Sequence, residues 1–226
     1  MKKPTVVICL FVFLAATAQS REIFDAARKD DLQTILNRVV VPEGSQVAID
    51  GKFSKGEWDD ALKLSISENY DVCLKVCSGD LFIGLKAAKP VGMLLTEIYL
   101  TSNGKEFYNL HSSMALGEGL IPFPADRSKI KFSVNNNIHW EANCCTYNKV
   151  EHEKWVAEGE PRDKYDRIFE KKDGKEYKIN LIKFSGTPLK MSGVIRDAKG
   201  AIHFPDNLGF ENSDGWVELV LPSRKK

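Results

Sequence analysis

The sequence lacks most of the short patterns that carry catalysis. It holds no G-x-S-x-G, H-E-x-x-H, P-loop or G-x-G-x-x-G run, the spacings that build nucleophile elbows, zinc sites and phosphate cradles. No C-x-x-C-H run offers covalent haem attachment. Charge of one sign is not in excess, with 32 basic residues against 31 acidic ones. That balance gives no electrostatic footprint for nucleic acid or an anionic membrane, both of which need clustered Lys/Arg. Carboxylates are so plentiful that an acid pair of the glycosidase kind cannot be told from background. The chain reads as a non-enzyme.

Long apolar runs are equally scarce. The one present, Val6 to Ala16, is shorter than the roughly 20 residues a membrane helix needs. Preceded by Lys2 and Lys3 and followed by Ala16-Thr17-Ala18, it reads as a signal peptide over residues 1–18, cleaved near Ala18. No cysteine stands directly after that point to carry a lipid, so the chain is expected to be secreted, extracellular or periplasmic. Loss of the two lysines takes the formal charge from +1 to −1. No second such run follows, so no membrane span is expected. What remains is enough chain for one domain with one core.

Cysteine is sparse. Beyond Cys9 in the leader there are four: Cys73, Cys77, Cys144 and Cys145. Secretion permits disulfides. If "DVCLKVC" is a strand, Cys73 and Cys77 share a face but stand roughly 13 Å apart, too far to bridge each other. Adjacent Cys144 and Cys145 cannot reach both at once. At most one disulfide is expected, between a member of each pair, and a four-cysteine zinc site meets the same objection.

What is present is β-periodicity. Residues 19–42 have helical spacing in Ile23, Phe24, Ala27, Leu32, Ile35, Leu36 and Val39, ended by Pro42 and Gly44. From Ser45 the period becomes two. Leu62, Leu64 and Ile66 alternate with Lys63, Ser65 and Ser67, and "YDVCLKVC", "DLFIGLK", "TEIYLTSNGKEFYNLH", "KIKFSV", "IHWEANCCTY", "KEYKINLIKF" and "GWVELVLP" follow. Asn103-Gly104 is a strong hairpin signal; Ser78-Gly79 and Asp173-Gly174 mark further turns. Strands this frequent predict a mainly β chain: an antiparallel, jelly-roll-like β-sandwich over 45–222, a short N-terminal helical segment before it and a basic tail at 223–226. The polar stretch from Val150 to Lys175 reads as a long connection of the kind that carries function.

Five segments in order resemble the family 9 carbohydrate-binding modules and their DOMON-like relatives. They are "AIDGKFSKGEWDDALKLS", "VCSGDLFIGLKA", "HWEANCCTY", "EYKINLIKF", with lysines at 178 and 183 where that family has arginines, and "IHFPDNLGF". The resemblance spans Val47 to about Phe210. It implies an antiparallel sandwich that binds an oligosaccharide or polysaccharide, with structural calcium in some members and haem in some relatives.

Sugar recognition needs aromatic faces flanked by planar polar groups. The candidate carbohydrate-binding residues are Trp155 and Tyr165 with Arg162 and Asp163 in the polar connection, Trp140 on its strand, Trp216 near the C-terminus, and Lys178. Lysine would donate as a point charge where arginine forks. Trp58 is expected in the core. "IDGKFSKGEWDD" has oxygens enough for calcium but no EF-hand spacing, and reads first as a solvated turn. In "AIHFPDNLGF", alternation sets Ile202 and Phe204 on one face and His203 on the other. Pro205 then ends the strand and Gly209 permits the turn, with His203 holding the corner by hydrogen bonds. Two other readings compete. A haem or redox module would pair His111 or His139 with Met93 or Met114. A structural or adhesive envelope protein would meet other proteins through an exposed apolar patch.

Overall fold

The computed structural model describes residues 38–92, 94–113, 115–125, 132–134, 139–143, 159, 171–184, 188–205 and 210–223. The expected signal peptide, nearly all of the expected helical segment and the end of the basic tail lie outside them. So do Cys144, Cys145, Trp155, Arg162, Asp163, Tyr165, Gly209, Met93 and Met114.

The regular elements of the described residues are β-strands and one 3-10 turn. In chain order the strands are β1 (Arg38–Val40), β2 (Leu62–Ser65), β3 (Tyr70–Cys77), β4 (Asp80–Val91), β5 (Leu95–Thr101), β6 (Glu106–Ser112), β7 (Leu116–Pro122), β8 (Phe132–Val134), β9 (Trp140–Ala142), β10 (Lys172–Asn180), β11 (Leu189–Asp197), β12 (Gly200–Phe204) and β13 (Val217–Val220). They form two sheets. The larger has the order β1-β13-β11-β5-β6-β7-β8, with β12 beside β13 along β11; the smaller has the order β2-β3-β4-β10-β9.

Alternation explains how they pack. On the smaller sheet Val72, Leu74, Leu81, Ile83, Leu85, Tyr177 and Ile179 point inward; on the larger, Ile98, Leu100, Leu110, Met191, Ile195, Phe204 and Leu219 meet them in one continuous core. Each such side chain contributes about 1.5–3 kcal/mol by leaving water. Gly193 lies opposite Phe204, and a Cβ there would come within 2.2 Å of the Phe204 ring. The ring therefore fills the space this glycine leaves.

Turn chemistry sets the hairpins. Ser78 and Gly79 both take positive φ, 53° and 85°, and join β3 to β4 with Cys77 opposite Asp80. At the next hairpin Gly104 has φ 65°, and Asn103 Oδ1 accepts from the amides of Lys105 and Glu106.

Two sequence expectations need correction. Arg38–Val40 is extended rather than helical: the run "RVVV" is β-branched, and β1 lies beside β13 in the larger sheet. Asp173-Gly174 is a bulge inside β10, where the register against β4 shifts between Lys172 and Gly174. A Cβ on Gly174 would lie 2.1 Å from the Leu85 carbonyl oxygen, so the close approach selects glycine. Cys73 and Cys77 share the outer face of β3 as expected, but both are free thiols; Cys73 packs with Val47, Trp58 and Phe82.

Candidate functional site

β9 and the edge of the larger sheet are joined by side chains. Trp140 points inward from β9, stacks on Tyr177 with centroids 5.9 Å apart, and donates from Nε1 to Glu118 Oε2 on β7 at 2.8 Å. The other Glu118 oxygen lies 3.3 Å from Lys183 Nζ. Lys183 belongs to a 3-10 turn, Leu181–Lys183, that follows β10 and is capped by Asn180. Its ammonium sits 5.2 Å over the Tyr108 ring, and that ring meets Phe184 edge-on. Beside Tyr108 in the register is Leu120, 45% exposed, and Ile182 next to Lys183 is 73% exposed. A carboxylate, an ammonium and aromatic faces thus converge at the mouth between the sheets. Burial, with Glu118 and Glu106 nearby, raises the Tyr108 phenol above its ordinary range, so it remains a hydroxyl donor at neutral pH.

A second Trp–Glu pair lies on the outer face of the smaller sheet. There residues 44–61 form a strap over β3, β4 and β10. Glu176 on β10 is fully buried. One oxygen accepts from the amides of Asp50 and Gly51 at 3.1 and 2.7 Å, the other from Trp58 Nε1 at 3.0 Å. Lys75, equally buried, donates to Ser45 Oγ, the Glu57 carbonyl and Asp60 Oδ1. The remaining acids serve the strap's own turns. Asp50 Oδ1 accepts from Lys52, and Glu57 accepts from Ala48 and Ser54. Among the described residues no group of three His, Cys, Asp or Glu is placed to hold a metal ion.

The described candidates occupy three different surfaces. Trp140 is inward and 4% exposed, so its ring backs the mouth and offers solvent little surface. Lys178 pairs in register with Glu141 on the opposite face of β10, where its Nζ lies 3.3 Å from that carboxylate and 3.8 Å from Asp80. Trp216 is 2% exposed, on the outer face of the larger sheet among Tyr99, Phe107 and Phe123. The structure does not bring these three together. Glu118, Tyr108 and Lys183 were not candidates; Lys183 carried a signal, as one of the two lysines at the family's arginine positions.

His203 lies across β12 from Ile202 and Phe204, opposite Val194. Its Nδ1 is buried and has no hydrogen-bond partner among the described residues; the turn at 206–209 lies outside them. Ser192 Oγ donates to the Phe204 carbonyl at 3.2 Å. Pro205 follows through a cis peptide. His111 is engaged at both ring nitrogens, Nδ1 3.5 Å from Glu97 and Nε2 2.9 Å from Ser113 Oγ. Burial pushes Glu97 up, but hydrogen bonds from His111 and Tyr99 together with Arg196 outweigh it and hold the carboxyl below its ordinary value. Among the described residues no helix is long and apolar enough to cross a membrane.

No family model matches this sequence, and no curated protein matches it. Among solved structures, a family 9 carbohydrate binding module from Caldicellulosiruptor kristjanssonii, in complex with cellotriose, is similar at a TM-score of 0.44 and 15% identity, covering 83% of this chain and 95% of that one. At that level the assignment rests on the site's own geometry.

Proposed function

We propose that the chain is a secreted, non-catalytic carbohydrate-binding β-sandwich whose ligand enters at the mouth between the sheets. The observation that supports this is the meeting of Glu118, Lys183 and Tyr108 in front of Trp140. A pyranose presents a C–H face and a rim of hydroxyls. The first suits an aromatic ring, and the second suits an acceptor and a donor 3.3 Å apart. Trp140 forms the back wall, and Glu118 is oriented by its indole N–H. Trp155, Tyr165, Arg162 and Asp163, outside the described residues, remain candidates from the sequence, and Trp155 enters the test. Lys178 and Trp216 lie elsewhere and take no part.

The test is tryptophan fluorescence titrated with a panel of soluble oligosaccharides, with and without calcium, on the wild type, Glu118→Gln and Trp155→Ala. A saturable shift lost in both variants is the expected result. Loss in Trp155→Ala alone moves the site into the 150–175 connection. A flat response from folded protein removes the reading and turns attention to protein partners at Leu120 and Ile182.

A further inference from the structure

We propose that the strap of residues 44–61 is a proton-linked clasp, seated by the Glu176 carboxyl and loosened when that carboxyl ionises. The geometry comes first. Glu176 lies at the centre of the smaller sheet's outer face, opposite Gly84, which in turn faces Cys73. Gly84 is the floor on which the strap rests: a Cβ there would lie 2.8 Å from the Phe53 ring and 3.0 Å from Trp58. Phe53 and Trp58 stack on each other with centroids 5.4 Å apart. Three N–H groups of the strap converge on the one carboxyl.

No cation is paired with it among the described residues. Lys75 on β3 is committed to Asp60, Ser45 and Glu57 of the strap, and Lys86 on β4 lies over Phe53. On β10 itself Lys178 is held by Glu141 of β9 and Asp80 of β4, while Asp173 accepts from the Phe53 amide. Glu57 on the strap adds a second negative charge near the carboxyl. Just after β9, Asn143 is neutral and its Oδ1 accepts from the Glu176 amide. An uncompensated carboxylate in such a place is costly, and its three donors offset only part of the cost. Burial is the largest influence and raises the carboxyl to about 7 against an ordinary 4.5, the Gly51 and Trp58 donors opposing it.

The sign follows. The folded value lies above the unfolded one, so the folded state binds the extra proton between pH 4.5 and about 7. The clasp's contribution is complete below 4.5 and is lost as pH rises through about 7. Proton-linked loosening would free Trp58 and the 50–51 turn first, because these hold the carboxyl directly.

Nuclear magnetic resonance of the intact chain tests this, with the Trp58 indole N–H assigned by Trp58→Phe. Its resonance should titrate with a midpoint near neutral, and its hydrogen exchange should rise above the base-catalysed trend on the alkaline side. Thermal melts should lose stability from pH 5 to 8 in the wild type and stay flat in Glu176→Gln. An indole resonance unmoved across that range overturns the proposal, as do parallel melts of the two proteins. If Glu176→Gln does not fold, the wild-type indole titration decides alone.

Discussion

Two tryptophans in this molecule donate their indole N–H to a glutamate, and the two pairs do different work. Trp58 reaches Glu176 at 3.0 Å and Trp140 reaches Glu118 at 2.8 Å, so the direct contact is nearly the same. The surroundings differ. Glu176 has no exposed surface and its two oxygens accept only from N–H groups of the strap. Glu118 keeps 17% of its side-chain surface in water and holds an ammonium on its second oxygen. A carboxyl wholly enclosed by donors of one segment can only fasten that segment. A carboxyl with a cation and water beside it can exchange partners with a ligand. Residue identity does not separate a clasp from a site here; the neighbouring charge and the solvent do.

The comparison can be broken by substitution. The largest effect belongs to Trp58→Ala, which empties the space above Gly84 and should cost about 3–5 kcal/mol of stability. Urea denaturation measures it, and glycan binding by the folded fraction should be unchanged. Glu176→Ala strands three N–H groups and should cost about 3 kcal/mol or more, since each such group left unsatisfied costs ~1–3. Glu118→Ala, partly in water, should cost about 1 kcal/mol or less in the same denaturation, while weakening oligosaccharide affinity roughly tenfold or more, about 1.4 kcal/mol. If Glu118→Ala proves as destabilising as Glu176→Ala, the mouth is a second clasp and the distinction fails.

The strap also has an acid limit. The Lys75 hydrogen bond holds the Asp60 carboxyl down to about 2 against an ordinary 3.8. With the folded value below the unfolded one, its contribution is full above 3.8 and is lost as pH falls through about 2. Denaturation from pH 2 to 6 should therefore show an acid arm in the wild type that flattens in Asp60→Asn. The smallest effect is chemical. Burial pushes the Cys73 thiol up to about 11, so alkylation of the native protein at pH 6, with the clasp still largely seated, should leave Cys73 unmodified. Peptide mapping after alkylation reports it, and labelling of Cys73 before unfolding at that pH would show that the strap opens while Glu176 is protonated.

Much of the fold was legible in the sequence. Period-two alternation located β2 through β6, and Asn103-Gly104 with Ser78-Gly79 placed their hairpins. β7 and β11 were not legible. "LGEGLIP" carries two glycines and a proline, and "LKMSGVIRD" is broken by Ser192-Gly193; both read as loop until a neighbouring strand supplies their partners. β1 was hidden because Val39 also fits the helical spacing before it, and β-propensity decided the outcome only once β13 lay alongside.

The site was less legible than the fold. Trp140 was singled out as an aromatic on its strand, but nothing local distinguished an inward face from an exposed one. Glu118 and Lys183 lie 65 positions apart and meet only because β7 and the turn after β10 close the same mouth. Alternation with Glu218 put Trp216 on the less apolar face, either exposed or covered by the N-terminal helical segment; it packs in the aromatic cluster of Tyr99, Phe107, Phe123 and Phe210.

From its own sequence, then, the chain settles which residues face inward along most strands, because alternation is a property of one extended backbone. It also settles the tight turns, where φ above zero is a property of single residues. Only the tertiary structure decides which glutamate is enclosed and which is left beside a lysine in water. Burial, charge pairing and the energy of ionisation depend on groups far apart in the chain, and packing alone brings those together.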